Sequence, residues 1–210
     1  DQQSLEFDTY EEFRNLIRDY KRAKMPRALE LSEKIKKARA SLYKSRYREY
    51  PENQRPFDWE LQFSEVFHNE SPGFDMIIAN PPYVRIQNQS LAPGQKELLR
   101  ESFETLRGKD RDLYHAFVEQ GLNLLKKDGH FAFILPNFSR SDSGSTLRKI
   151  LTERRAISLW VDFADQQIFP SATNYVALLF GNKKYKTAKS FAARILANSS
   201  VDLHQRNWLN

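Results

Sequence analysis

Asn80-Pro81-Pro82-Tyr83 is the stretch whose residue types and spacing can do chemistry. It follows a short apolar run, Met76 to Ala79, with β-branched Ile77 and Ile78 at its centre. Such a run reads as a strand buried on both faces. The strand must stop at the prolines, because a proline cannot donate to a sheet ladder, and Pro81 keeps Asn80 extended. A carboxamide is thereby set at the carboxyl end of a buried strand, followed by two stiff residues and an aromatic ring. In open α/β sheets that end of a strand is where ligands bind. The plainer reading is a strand-ending turn. Two nearby carboxylates, Asp75 and Asp112, read as a strand-start residue and a helix cap.

Several elements must position this stretch. Asp112 opens a helical pattern running to Lys127, with Leu113, Phe117, Gly121, Leu124 and Leu125 inward and Gly129 as its stop. His130 to Leu135 is a second buried strand, ended by Pro136. Strand, helix, strand in this span is a βαβ unit, so the two strands are expected to be parallel and adjacent or nearly so. A Ser/Gly-rich loop, Ser139 to Ser145, leads to a helix with Leu147, Ile150 and Leu151. Ile157 to Phe163 and Tyr175 to Phe180 are two further strands. The short link between them predicts an antiparallel pair, and the chain beyond Lys183 has room for one more short strand. Residues 84–110 are mostly polar, with a turn at Pro93-Gly94, a short helix at Leu98, Leu99 and Phe103, and a break at Gly108-Lys109-Asp110. They read equally as a loop covering a substrate or as an ordinary connection.

The chain upstream has a different character. Thr9 to Glu12 is a capping box that predicts a helix start, with Tyr10, Phe13, Ile17 and Tyr20 at helical spacing. After Met25-Pro26 comes a second helix, with Leu31, Ile35, Ala38 and Leu42 on one stripe. Between Lys21 and Arg48 stand eleven Lys or Arg against Glu30 and Glu33. A phosphate-facing surface and a solvated helix face both account for this. Pro51 to Pro56 reads as a linker, and the ring-rich alternation of Phe57, Trp59, Leu61 and Phe63 as strand-like or edge-packing. The expected division is a basic helical hairpin at 1–55 and a catalytic portion at 56–210.

Composition narrows the class. The 210 residues carry a net charge of +6, with 15 Phe and 9 Tyr, which favours a folded chain with anionic partners, nucleic acid first. The absence of cysteine removes disulfides and thiolate metal sites. The four histidines show no metal-ligand spacing. With no membrane-length apolar stretch and no visible signal peptide, the expected location is cytoplasmic and off the membrane. The chain opens at Asp1-Gln2-Gln3 and is read as a piece of a longer protein.

Asn80-Pro81-Pro82-Tyr83 resembles the catalytic motif of amino-methyltransferases that use S-adenosylmethionine. Asp112-Leu113-Tyr114-His115-Ala116-Phe117 resembles the next motif of gamma-class adenine-N6 DNA methyltransferases. Gly129 to Pro136 resembles their following strand, and Phe169 to Tyr175 their late aromatic motif. Phe57-Asp58-Trp59-Glu60 after helices is similar to the large type IIG restriction–modification enzymes and related phage-exclusion methyltransferases. The family's glycine-rich cofactor loop has no counterpart in this sequence. The resemblance therefore implies an α/β fold, the second half of a Rossmann-like S-adenosylmethionine-dependent methyltransferase sheet. Its parallel strands would end in an antiparallel pair, and the helical hairpin would precede them. It further implies an upstream half of the same domain as a partner, an edge left open without it, and double-stranded DNA as substrate.

The implied chemistry suits the residues. An adenine amine is a poor nucleophile because its lone pair is delocalised into the ring. Hydrogen bonds accepted by the Asn80 side-chain oxygen and the Pro81 carbonyl favour a tetrahedral nitrogen aimed at the methyl group. The target base must be flipped out of the duplex, with Tyr83 stacking on one face and Phe169 on the other by resemblance. Asn80, Pro82 and Phe117 would touch the cofactor, with no metal, and Phe117 at helical spacing equally reads as core. A protein-glutamine or RNA amino-methyltransferase, or a DNA-binding fragment without catalysis, are the alternatives.

Overall fold

The computed structural model describes residues 2–89, 91, 94–107, 111–139, 141–154, 156–163, 168–169, 176–183 and 191–194, with backbone alone at 2–8 and 191–194. The chain divides into two compact units, residues 1–72 and 73–210.

The first unit is a helical hairpin, α1 (Gln2–Arg22) and α2 (Arg27–Arg46), followed by two single-turn helices, α3 (Trp59–Gln62) and α4 (Ser64–Phe67). Helix α1 begins at Gln2, so Thr9 lies inside it and does not start it. Phe13 and Ile17 bury against Ile35 and Leu42, as their helical spacing requires, and Leu61 of α3 completes this core. The strand-like reading of residues 57–63 is therefore corrected. Trp59 and Phe63 stack at 5.7 Å between centroids, and their i, i+4 spacing is helical. Asp58 sets the start of that turn, accepting from the Leu61 N–H at 3.0 Å. Its other oxygen accepts from Arg46 at 2.6 Å and from the Tyr47 hydroxyl at 2.9 Å. Residues 57–67 thus pack with the hairpin.

The second unit is a five-stranded sheet of order β1-β2-β4-β3-β5. Its strands are β1 (Phe74–Ala79), β2 (Leu125–Pro136), β3 (Ile157–Asp162), β4 (Val176–Asn182) and β5 (Phe191–Arg194). Strands β1 and β2 are parallel and adjacent, while β4 lies antiparallel to both β2 and β3. Helices α6 (Leu113–Leu124) and α7 (Ser145–Glu153) bury Tyr114, Val118, Leu122, Leu147, Ile150 and Leu151 against Phe131, Phe133, Leu135 and Leu179 of one sheet face. Helix α6 stops at Leu124, three residues before the sequence expectation, and β2 takes over at once. Gly129 is thus a strand residue and no helix stop. A Cβ there would meet the Phe74 carbonyl oxygen at 2.8 Å, where β1 and β2 approach closely.

The expectation that β1 is buried on both faces is also corrected. Ile77 and Ala79 join the core beneath α6, whereas Met76 and Ile78 on the other face are 58% and 74% exposed. Among the described residues β1 is an edge strand, and no described element covers that face. The described residues between 84 and 112 are tied to the rest of this unit. The Ile86 N–H donates to the Arg111 carbonyl at 3.0 Å, and that of Leu113 to the Val84 carbonyl at 2.9 Å. Helix α5 (Gln95–Ser102) lies within this stretch. Ile86 and Leu106 pack on Ala116, and the buried Glu119 carboxylate accepts the backbone N–H groups of Glu104 and Thr105 at 3.0 and 2.9 Å. The Pro93 turn, the 108–110 break and most of the Phe169–Tyr175 motif lie outside the described residues.

Burial alone would raise the Asp58 carboxyl, but the Leu61 N–H, the Tyr47 hydroxyl and Arg46 outweigh it and hold it below the usual carboxylate range. A depressed folded value contributes stability above the unfolded value, about 3.9, and that contribution is lost as pH falls through the folded value. Asp58→Asn is expected to lower the unfolding free energy of the chain by about 1–3 kcal/mol at pH 7. In denaturation followed by circular dichroism, the gap between the two proteins should narrow as the pH is lowered below about 4.

Candidate active site

The parallel pair fixes where the tetrapeptide falls. Ala79 is in register with Phe133, so β1 ends three residues before β2 does. Asn80 then stands exposed at the carboxyl edge, Pro81 is buried beneath it, Pro82 is exposed and Tyr83 is half-buried. The Tyr83 ring packs on both apolar clusters of the sheet and meets Tyr114 of α6 edge-on at 6.3 Å. Burial raises the pKa of Tyr83, so its hydroxyl keeps its proton at neutral pH.

That hydroxyl lies 2.8 Å from the Asn80 side-chain oxygen and 3.0 Å from the Ile134 carbonyl on β2. One proton cannot serve two acceptors at once. Half a turn of the Asn80 amide resolves the conflict: its NH2 donates to the Tyr83 oxygen, the Tyr83 proton goes to Ile134, and the amide oxygen turns away from both. The amide then presents an acceptor to whatever enters the cleft.

The next loop on the same edge is held as firmly, and sequence reasoning gave its residues no role. Asn137 follows β2, donates to Asp162 at 2.8 Å and accepts from the Ser139 hydroxyl at 2.7 Å. Arg148 of α7 donates to the carbonyls of Phe138 and Ser141, each at 2.7 Å, and Arg111 donates to that of Ser143. The legible signal was the pairing of Pro136 with Asn137 at the end of a second parallel strand, echoing Pro and Asn after β1.

The expected site residues are not equally placed. Asn80, Pro81, Pro82 and Tyr83 form one edge. Phe117 lies one turn after Leu113, whose N–H bonds to Val84, and its ring is 48% exposed instead of being core. Phe169 is exposed, with no described contact to Asn80 or Tyr83, although its neighbour Ile168 shares a cluster with Tyr83. Asp112 stands at the start of α6, but its side chain makes no capping bond there. His115 is fully buried, and burial lowers it to about 4, so it is neutral. Among the described residues no group of His, Cys, Asp or Glu has the disposition of a metal site, and no helix is long and apolar enough to cross a membrane. Asn80 and Pro82 are exposed at the strand end, and the Phe117 ring is exposed on α6.

Sheet order and strand directions define a mixed α/β sheet, with β1 and β2 parallel and β4 antiparallel to both β2 and β3. Residues 6–169 match the model of the Eco57I restriction-modification methylase family, and the chain belongs to that family. The type II restriction enzyme and methyltransferase RM.Eco57I of Escherichia coli is 34% identical over 120 residues, 56% of this chain and 12% of that protein. The type II methyltransferase M.XhoI of Xanthomonas vasicola is 35% identical over 131 residues, 61% of this chain and 23% of that protein. The chain therefore spans less than a quarter of either relative. Among solved structures, the type IIL restriction-modification enzyme MmeI in complex with DNA is similar with a TM-score of 0.48 and 20% identity, covering 66% of this chain and 18% of that one.

Tyr83→Phe keeps the ring and removes the hydroxyl that links Asn80 to β2. The single-turnover methylation rate of the full-length protein is expected to fall up to about tenfold, the net value of one hydrogen bond, with DNA affinity unchanged.

Proposed function

We propose that this chain carries the methyl-accepting half of a DNA adenine-N6 methyltransferase working in a restriction–modification or phage-defence system, in the cytoplasm. The observation that carries the reading is the exposed Asn80 amide at the carboxyl edge of a parallel strand pair, oriented by Tyr83. Family membership supports a substrate in DNA, and the amide supports an amine as the reacting group.

The target adenine is extruded from the duplex. Its N6 donates one hydrogen bond to the Asn80 oxygen and the other to the Pro81 carbonyl, so the lone pair is localised and directed. Tyr83 stacks on the base and Phe169 approaches its other face, each worth roughly 1–3 kcal/mol against the cost of unstacking. Phe117, Pro82 and Asn80 form one wall for S-adenosylmethionine, which supplies when bound a methyl group activated by a positive sulfur. The proton lost from the amine passes to solvent, and no general base is required.

The remaining cofactor walls come from an upstream half of the same domain. The open edge of β1 and the exposed Met76 and Ile78 support this, since an apolar sheet face of this kind needs cover. Residues 1–210 alone are accordingly expected to bind S-adenosylmethionine weakly in calorimetry, and addition of the upstream half should restore binding.

The reading is tested by methylating duplex DNA with the full-length protein and analysing its nucleosides. N6-methyladenine is the expected product, and Asn80→Ala should slow single-turnover transfer by about 100-fold or more. Methylated cytosine, or methyl groups found on protein glutamine or RNA in place of DNA, would overturn it.

A further inference from the structure

We infer that the tip of the α1–α2 hairpin is a DNA-backbone contact, with Lys21, Arg22, Lys24 and Arg27 set against phosphates. The inference rests on the reading above only in taking duplex DNA as the partner. Residues 21–29 hold four cations and no acid, and all four are exposed. Among the described residues none of the four forms an ion pair. Three arginines farther along are treated differently: Arg46 pairs with Asp58 at 2.6 Å, Arg39 with Glu65 at 3.8 Å and Arg48 with Glu49 at 3.1 Å. Glu30, the acid nearest the tip in α2, is bonded to Lys34 at 2.5 Å, and Arg27 adds only a lesser pull on it.

Helix stability does not account for these charges. Lys21 and Arg22 suit the negative end of α1, but Arg27 opens α2, where positive charge opposes the helix dipole. Solubility does not account for them either, since a solubilising surface mixes both signs, and the tip also exposes Met25 at 67% and Leu29 at 60%. Cations flanking one or two apolar side chains match a duplex, whose phosphates take the charges while an apolar group meets a groove. An anionic membrane would also take the charges, but two apolar residues are too few to insert as an amphipathic anchor.

The test replaces Lys21, Arg22, Lys24 and Arg27 together by Gln in the full-length protein, because exposed Gln is well tolerated at the three helical positions and Lys24 lies in the link between the helices. Binding of a labelled duplex is measured across a salt series, and single-turnover methylation at saturating DNA is measured alongside. The variant is expected to bind DNA at least about tenfold more weakly near 0.15 M salt. The slope of log affinity against log salt should shrink by about 2–4, since each lost phosphate contact removes about 0.9. The methylation rate at saturation should be unchanged. Unaltered affinity and slope would overturn the inference, as would unaltered DNA binding with lost binding to phosphatidylserine vesicles. Asn80→Ala reports on the catalytic reading separately, because it leaves the tip and the salt slope intact.

Discussion

The structure depends on one mismatch of strand lengths. Strand β1 must end at Ala79 while its parallel partner β2 runs on to Pro136. Pro81 and Pro82 impose that ending, having no N–H to continue the ladder. The exposed amide of Asn80, the buried ring of Pro81 and the return of Tyr83 onto β2 all follow from it. Without the stop, residue 80 would take its place in the ladder and its backbone would be spent on β2. With it, a step opens at the sheet edge, and the Tyr83 hydroxyl spans the step to the Ile134 carbonyl.

Around that step the chain invests in rigid polar contacts. The described residues of the loop after β2, 137–139 and 141–144, are held through Asn137, Arg111 and Arg148, mostly by side chains donating to backbone carbonyls. Glu104 and Thr105 are held by Glu119, a buried carboxylate whose two oxygens each accept a backbone N–H. Loops held this way lose little further entropy on binding, which is how a cleft is preorganised. On the opposite face, Met76 and Ile78 of β1 are exposed, while Val161 and Val176 of β3 and β4 are buried.

Much of the frame was legible in the chain. Apolar runs ended by prolines marked β1 and β2, and connection lengths separated the parallel pair from the antiparallel one. The errors came where two patterns overlap. Phe57, Trp59, Leu61 and Phe63 alternate like a strand, yet Trp59 and Phe63 also stand one helical turn apart, and Asp58 as a cap decided the outcome. The helical pattern from Asp112 ran to Lys127, but Lys126 and Lys127 belong to β2, where Lys126 pairs with Asp75. The open face of β1 was illegible because it depends on what lies over the strand. The Tyr83–Ile134 bond was illegible because it joins residues 51 apart through the register of two strands. The contact between the Tyr83 hydroxyl and the Asn80 amide, by contrast, joins residues only three apart.

The most direct measurement is a crystal structure of the full-length protein with its DNA duplex and a non-reactive S-adenosylmethionine analogue. The account predicts an extruded adenine whose N6 lies about 2.7–3.2 Å from both the Asn80 side-chain oxygen and the Pro81 carbonyl oxygen, with the Tyr83 ring along the base. A base left in the stack, or an extruded base whose amine reaches neither oxygen, would contradict it.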